Sequence, residues 1–282
     1  MEFRPVEEII DDTEKGASEL AVDAARALQH LDEKEAEDYV TRLIKNRGSM
    51  TPLVNLANEF FLALEKGEDH QDVSKRFMER IQTAKEKLIE NAERIMKKQG
   101  LAHVATLSYS STAVETLANS EEVTVFESRP KKEGRKTAEN LAPDTKVNYW
   151  VDAAVMKGLK GVDAVMVGAD TITKDLFINK IGTSLLVLGA KRYRIPVYVL
   201  ADTTKYLPEG LQALEEELHP SEEVWQTDEE NIQVQNDYFE AVPLDLYSEL
   251  NFITEDGPLK REGVKREVDG KELSQALRAY HS

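Results

Sequence analysis

The sequence predicts an α/β protein, a helical N-terminal region followed by a mostly parallel sheet. Three observations carry the prediction. Apolar residues recur at helical spacing through residues 1–99. From residue 101 short apolar runs alternate with helical stretches of about ten residues. Hydroxyl, carboxylate and ammonium side chains stand directly after those runs, where an open parallel sheet meets its ligands.

In chain order, Val6, Ile9, Ile10, Leu20, Ala21, Ala24, Ala25 and Leu28 fall mostly at helical spacing, interrupted by Gly16. Ala36, Tyr39, Val40, Leu43 and Ile44 stripe a second helix over 33–46. Thr51-Pro52 reads as a cap followed by proline at the first helical position, opening a helix toward Leu64. The longest helix is expected from Gln71 to about Gln99, with Gly100 as its terminator. At about 1.5 Å per residue it reaches roughly 40 Å. Strands are then expected at 103–109, 123–127, 147–151, 164–167 and 197–201, and helices at 112–118, 134–142, 154–159 and 183–192. Strands buried on both faces and separated by helices pair in parallel, a Rossmann-like arrangement. The expected division is a helical domain over 1–99 and a Rossmann-like α/β domain over 100–282.

The 282 residues carry 53 Asp and Glu against 36 Lys and Arg, a net charge of -17. No apolar run approaches the roughly 20 residues of a membrane-spanning helix, and the residues from Met1 hold no stretch able to serve as a secretory signal. A cytoplasmic location without membrane contact is therefore expected. The acidity argues against direct nucleic-acid binding, which calls for a basic face. There is no cysteine, which excludes disulfides, thiolate zinc sites and a cysteine nucleophile. The five histidines show no metal-ligand spacing, and neither a metal nor another cofactor is expected. The charge is uneven: 15 of the 53 acids and no Lys or Arg fall in residues 206–259, which leaves 38 acids against 36 bases elsewhere. That strip is expected to be mostly exposed, either as a solvated face or as a docking surface for a basic partner.

The strand ends hold the candidate site. Ser108, Ser110 and Ser111 follow the first strand, where N–H and O–H groups can meet a phosphate or simply cap a helix. Arg129 follows the second strand, able to hold an anion bidentately or to pair with Glu127. The third strand delivers Asp152, and the fourth ends in Gly168-Ala169-Asp170. Asn179-Lys180-Ile181-Gly182-Thr183 is expected to open the next helix and suits an anionic, hydroxylated ligand. Lys205 follows the fifth strand. Each has a structural alternative as a cap or ion pair, but together they indicate a rim that binds a sugar phosphate or nucleotide. The Gly-x-x-x-x-Gly-Lys and Gly-x-Gly-x-x-Gly loops are both missing.

ESRPKKEGRKTAENL (127–141), VDAAV (151–155), VGAD (167–170), NKIGT (179–183) and PVYVLADTTKY (196–206) resemble the family that unites the alpha, beta and delta regulatory subunits of translation initiation factor 2B with two sugar-phosphate isomerases. FEAVPLDL (239–246), FITEDG (252–257), KGAS (15–18) and TPLVNLA (51–57) extend the resemblance over nearly the whole chain. The isomerases act on methylthioribose-1-phosphate and ribose-1,5-bisphosphate. The resemblance implies the two-part fold already expected, and a homodimer formed through the C-terminal region. It implies acid/base work at Asp170, ligand binding at Lys15, Gly16, Asn179, Lys180 and Lys205, and initiation factor 2 as a protein partner. Two departures bear on activity. Ser108 occupies the position of the isomerases' catalytic cysteine, and a hydroxyl is a far poorer acid/base than a thiol of pKa about 8.5. Met50-Thr51-Pro52 stands where those enzymes tend to have Arg-Pro-Thr, and Lys15 replaces an arginine, keeping charge without the bidentate fork. The expectation is a regulatory, ligand-binding protein similar to the initiation-factor subunits. The alternative is an aldose–ketose isomerase of the ribose-1,5-bisphosphate type, with Asp170 and Ser108 as its catalytic residues.

Overall fold

A computed structural model describes residues 4–12, 15–213 and 219–280. Five helices come first: α1 (Val6–Ile10), α2 (Ala17–Leu28), α3 (Glu33–Arg47), α4 (Thr51–Lys66) and α5 (His70–Gln99). Asp32 and Glu35 form a reciprocal capping box that starts α3, and Asp69 caps α5 through the N–H of Gln71. Gly100, at φ 65°, takes the left-handed turn that ends α5, as its position predicts. Thr51 departs from the expectation: it is the first residue of α4 rather than its cap, and its hydroxyl bonds the hydroxyl of Thr171 at 2.6 Å.

The sheet follows. β1 (His103–Leu107), α6 (Ser111–Leu117), β2 (Glu122–Phe126), α7 (Gly134–Leu141), β3 (Lys146–Trp150), α8 (Val155–Gly158) and β4 (Ala164–Gly168) alternate as expected. Next come β5 (Thr171–Ile172), β6 (Leu176–Lys180), α9 (Thr183–Tyr193) and β7 (Val197–Leu200). The chain closes with β8 (Phe239–Pro243), β9 (Leu250–Thr254), β10 (Gly257–Leu259), α10 (Arg261–Asp269) and α11 (Gln275–Tyr280). The main sheet has the order β10-β9-β7-β4-β1-β2-β3, parallel except for β10. β5, β6 and β8 form a second, antiparallel sheet. The sequence reading misses that small sheet. It treats Asn179 and Lys180 as the opening of a helix, whereas both end β6, and short polar-interrupted strands have no period long enough to declare themselves.

Three apolar clusters hold the fold. One fills the helical bundle, with Leu207, Leu211 and Leu277 of the later chain joining it. The others cover the two faces of the sheet. α5 serves two of them: Phe77 and Ile81 enter the bundle, while Leu88, Ala92 and Met96 lie on the sheet. Side chains of the bundle also close onto the sheet's carboxyl edge. Asn55 on α4 donates to the carbonyls of Thr204 (2.5 Å) and Tyr206 (3.0 Å). Among the described residues no helix is long and apolar enough to cross a membrane.

Candidate functional site

The strand order reverses at β1, which lies between β2 and β4, and it is at such a switch point, above the carboxyl ends of the strands, that an open parallel sheet has its ligand crevice. Ser108 leaves β1 with φ 66°, a left-handed conformation uncommon for a non-glycine residue. Two hydrogen bonds hold it there: its N–H donates to Ser128 Oγ (2.6 Å), and its carbonyl accepts from Thr137 Oγ1 (2.6 Å). Ser128, fully buried and at φ 65°, is fixed in turn by Asp152, whose carboxylate accepts the N–H groups of Ser128 and Arg129, both at 2.8 Å. The carboxylate of the third strand end is thus spent inside the turn. Gly134 is required by the same packing, because a Cβ there would lie 2.0 Å from the Phe126 carbonyl oxygen.

Ser110 Oγ caps α6 by accepting from Ala113 N–H at 3.3 Å, and Ser111 is the first residue of that helix. Ser110 also faces β4: a Cβ on Gly168 would stand 3.3 Å from its hydroxyl, so the glycine allows the two strand ends to close together. Asp170, half-buried, follows immediately, its N–H donating to the Ile178 carbonyl at 2.8 Å. Lys205 reaches the same place, its ammonium donating to the Ala169 carbonyl at 2.6 Å. Ser108, Ser110, Asp170 and Lys205 therefore stand on one rim.

Lys180 is 1% exposed. Its Nζ lies 2.7 Å from Glu133 Oε1 and 4.9 Å from the centre of the Tyr238 ring. A buried ammonium is tolerable only with such partners. Tyr238 also bonds Glu223, which pairs with Lys131 and accepts from Asn236. The hydrogen bond from Lys131, followed by that from Tyr238, pushes the Glu223 carboxyl down to about 2.

Other expected ligand-binding residues have protein partners. Asn179 donates to Thr183 Oγ1 at 2.9 Å. The start of α9 is filled by Glu240, whose carboxylate accepts the N–H groups of Gly182 (2.7 Å) and Ser184 (2.9 Å). An anionic ligand is expected there from the sequence; a side chain of the protein supplies the negative charge instead. The Arg129 guanidinium donates to the Val224 carbonyl at 3.2 Å, next to a hollow of about 190 Å³ that Arg129, Pro130, Ile181 and Val224 help to line. Lys15 bonds Asp12 and Asp23, and Gly16 N–H donates to Glu19, so their contacts among the described residues stay within the helical part. A larger hollow of about 410 Å³, lined by Met96, Leu101 and Thr116, opens beside the end of α5, away from the crevice. Among the described residues no three His, Asp or Glu side chains are grouped to hold a metal ion.

Sequence reasoning missed Glu133, Tyr238 and Glu240. Glu133 sits inside a motif quoted for its Arg and Gly, and an acid before a glycine carries no signal of a lysine 47 positions away.

The profile of the initiation factor 2 subunit family matches residues 7–261. The chain belongs to that family. Ribose 1,5-bisphosphate isomerase of Archaeoglobus fulgidus is 32% identical over 91% of this chain and 91% of that protein. The putative translation initiation factor eIF-2B subunit 2-like protein of Pyrococcus horikoshii is 32% identical over 69% of this chain and 75% of that one. The crystal structure of Pyrococcus horikoshii translation initiation factor eIF-2B superposes with a TM-score of 0.73 at 28% identity, covering 90% of this chain and 94% of that one. A relative with an enzyme name and one with a factor name thus stand at the same identity to this chain, the enzyme-named one over more of its length, and identity alone does not choose between them.

Proposed function

We propose that this family member binds a phosphorylated sugar or a nucleotide in the crevice between β1 and β4 and acts through a protein partner in translation initiation, with initiation factor 2 as the candidate. One observation carries the choice: Ser108 puts a hydroxyl at the strand end where the resemblance expects a thiol, in a backbone clamped by Ser128 and Thr137. Asp170 and Lys205 supply a carboxylate for ligand hydroxyls and an ammonium for phosphate. The division at residues 99 and 100 and a cytoplasmic location belong to the same proposal. Titration calorimetry with ribose 1,5-bisphosphate and with nucleoside monophosphates, together with a binding assay on purified initiation factor 2, tests it. Absence of both kinds of binding sinks it.

A second reading, an aldose–ketose isomerase of the ribose-1,5-bisphosphate type, is favoured by Asp170 on the rim beside Lys205, and by the relatives that carry that name. In it Asp170 shuttles the proton between the two carbons, and Ser108 or a water replaces the thiol. Turnover of ribose 1,5-bisphosphate that is lost in Asp170→Asn, while binding persists, would establish this reading over the first.

A further inference from the structure

FITEDG (252–257) supplies none of the four rim groups, but it reaches the turn that presents one of them. β7 and β9 run in parallel, and Ala201 N–H donates to the Ile253 carbonyl at 3.1 Å, so the two strands end side by side. β7 leads into a short 3-10 turn, Thr203–Lys205. Glu255, the residue after β9, lays its carboxylate against the start of that turn. It accepts the Thr203 N–H at 3.0 Å (Oε2) and 3.2 Å (Oε1), and the Thr203 hydroxyl at 2.6 Å. Asp202 holds the next residue, accepting the Thr204 N–H at 2.9 Å and the Thr204 hydroxyl. From α4, Asn55 holds the carbonyls of Thr204 and Tyr206.

Glu255 is itself anchored. Asn91 on α5 donates to its carbonyl and to that of Thr254, both at 3.0 Å. Thr254 Oγ1 accepts the Asp256 N–H at 3.2 Å, and Gly257, at φ 119°, closes the turn into β10. Two carboxylates, Asp202 and Glu255, thus grip one three-residue turn. Burial raises the Glu255 carboxyl above its ordinary value, the Asp202 charge adds to the rise, and the hydrogen bonds from Thr203 oppose it. Lys271, just after α10, feels both charges but forms an ion pair with neither. Like charges gathered in this way cost stability, so packing alone does not account for them. A carboxylate, with two acceptor oxygens and no donor, suits the two donors of Thr203.

We propose that Glu255 is a positioning residue for Lys205, acting through Thr203 and the turn, and resting on the reading of Lys205 as the ammonium that meets phosphate. A lysine side chain has wide rotamer freedom, and it favours an anion most where its backbone already aims it. Lys205 is half-buried, and its Nζ stands 2.6 Å from the carbonyl of Ala169, one residue before Asp170. With Glu255 in place the root of the side chain is fixed, and the ammonium stays beside the Asp170 backbone. An arriving phosphate then takes a cation whose position is set in advance. Without Glu255 the turn loses its hold at Thr203, and Lys205 leaves the Ala169 carbonyl more often.

Acetic anhydride labelling of the full chain without ligand, read lysine by lysine in a mass spectrometer, tests the positioning. Glu255→Ala should raise the labelling rate of Lys205 about ten-fold, while Lys180, 1% exposed, stays as slow as in the wild type. Glu255→Gln, whose amide oxygen still accepts from Thr203, should fall between the two. If Glu255→Ala lowers the melting temperature, Thr203→Val, which removes the hydroxyl and keeps the N–H, carries the test in the same direction. Unchanged labelling of Lys205, or equal acceleration of Lys205 and Lys180, would overturn the proposal, the second because it marks a general loosening. Titration calorimetry with ribose 1,5-bisphosphate reads the consequence: Glu255→Ala should weaken binding about ten-fold, and Glu255→Gln less. Wild-type binding that Glu255→Ala leaves equally tight would also overturn it. A wild type that binds no ligand defeats the function proposed for the crevice, while the labelling still decides what holds Lys205.

Discussion

Ser108 combines two properties that its neighbours impose: a left-handed backbone and a hydroxyl at the tip of β1. Substituting Ser108→Cys leaves the backbone clamp untouched and supplies a group that ionises near neutrality. On the proposed function, wild-type protein shows no isomerisation of ribose 1,5-bisphosphate above background, and Ser108→Cys shows a measurable rate that Asp170→Asn removes; a coupled assay for the ketose product reads both. Lys180 makes a second residue-scale case. Its ammonium is nearly enclosed, but the Glu133 side chain is 30% exposed, which softens the cost of parting them. Glu133→Gln, which leaves the enclosed ammonium without its neutralising charge, should lower stability by about 3 kcal/mol, measured by urea unfolding, and Lys180→Met, which leaves a partly exposed carboxylate, by less. Lys180 and Glu133 also separate what the sequence displays from what it hides. A lysine in an Asn-Lys-x-Gly-Thr run is legible as a site residue. Its neutralising acid is not, because the pair meets only when β6 lies beside the turn before α7.

At the scale of elements, segment 220–238 is tied to the crevice largely through one carboxylate. Glu223 is held down to about 2 by Lys131 and Tyr238, below the ordinary carboxylate value of 4.5. A carboxyl whose pKa is depressed in the fold stabilises the fold above the unfolded value and loses that contribution as pH falls through the folded value. The tie is therefore complete above about pH 4.5 and fades toward pH 2. In a Trp150→Phe background, Trp225 fluorescence should change within that window, and Glu223→Gln should show the changed signal already at neutral pH. A signal that moves only with global unfolding would contradict the tie. The long elements were the legible ones. α3, α4 and α5 have sustained 3.6-residue periodicity and lie within two residues of their expected ends. β5, β6 and β8 were not legible, since two to five residues sharing polar and apolar positions fit a loop as well as a strand.

For the whole molecule, the decisive joint is the one between bundle and sheet edge. Asn55 satisfies two buried carbonyls, Thr51 meets Thr171 one residue beyond Asp170, and Asn91 on α5 donates to the carbonyls of Thr254 and Glu255. Asn55→Ala leaves the Thr204 and Tyr206 carbonyls without this donor and should cost about 2 kcal/mol in chemical denaturation. Because Thr204 and Tyr206 flank Lys205, the same variant should also weaken ligand binding in calorimetry.

The charge of -17 resolves at this scale as well. Among the described acids of 206–259, Glu209, Glu222, Asp228, Glu229, Glu230, Asp237, Asp245, Glu249 and Asp256 are exposed, Glu209 and Glu249 of them paired with Lys174 and Lys260, while the less exposed Glu223, Glu240 and Glu255 are held by hydrogen bonds; Glu215, Glu216 and Glu217 lie outside the described residues. By itself the sequence determined the class of fold, the helical spine, the chain positions of the strand-end residues and the loss of cysteine chemistry, because period, composition and motif are properties of the chain read in order. Tertiary structure alone decided which strand-end groups face the crevice and which are consumed: Asp152 in a turn, Glu240 at a helix start, Glu133 on Lys180. Those outcomes depend on pairs far apart in sequence, and a charge or a hydrogen-bonding group reveals its partner only when the fold brings the two within a few ångströms.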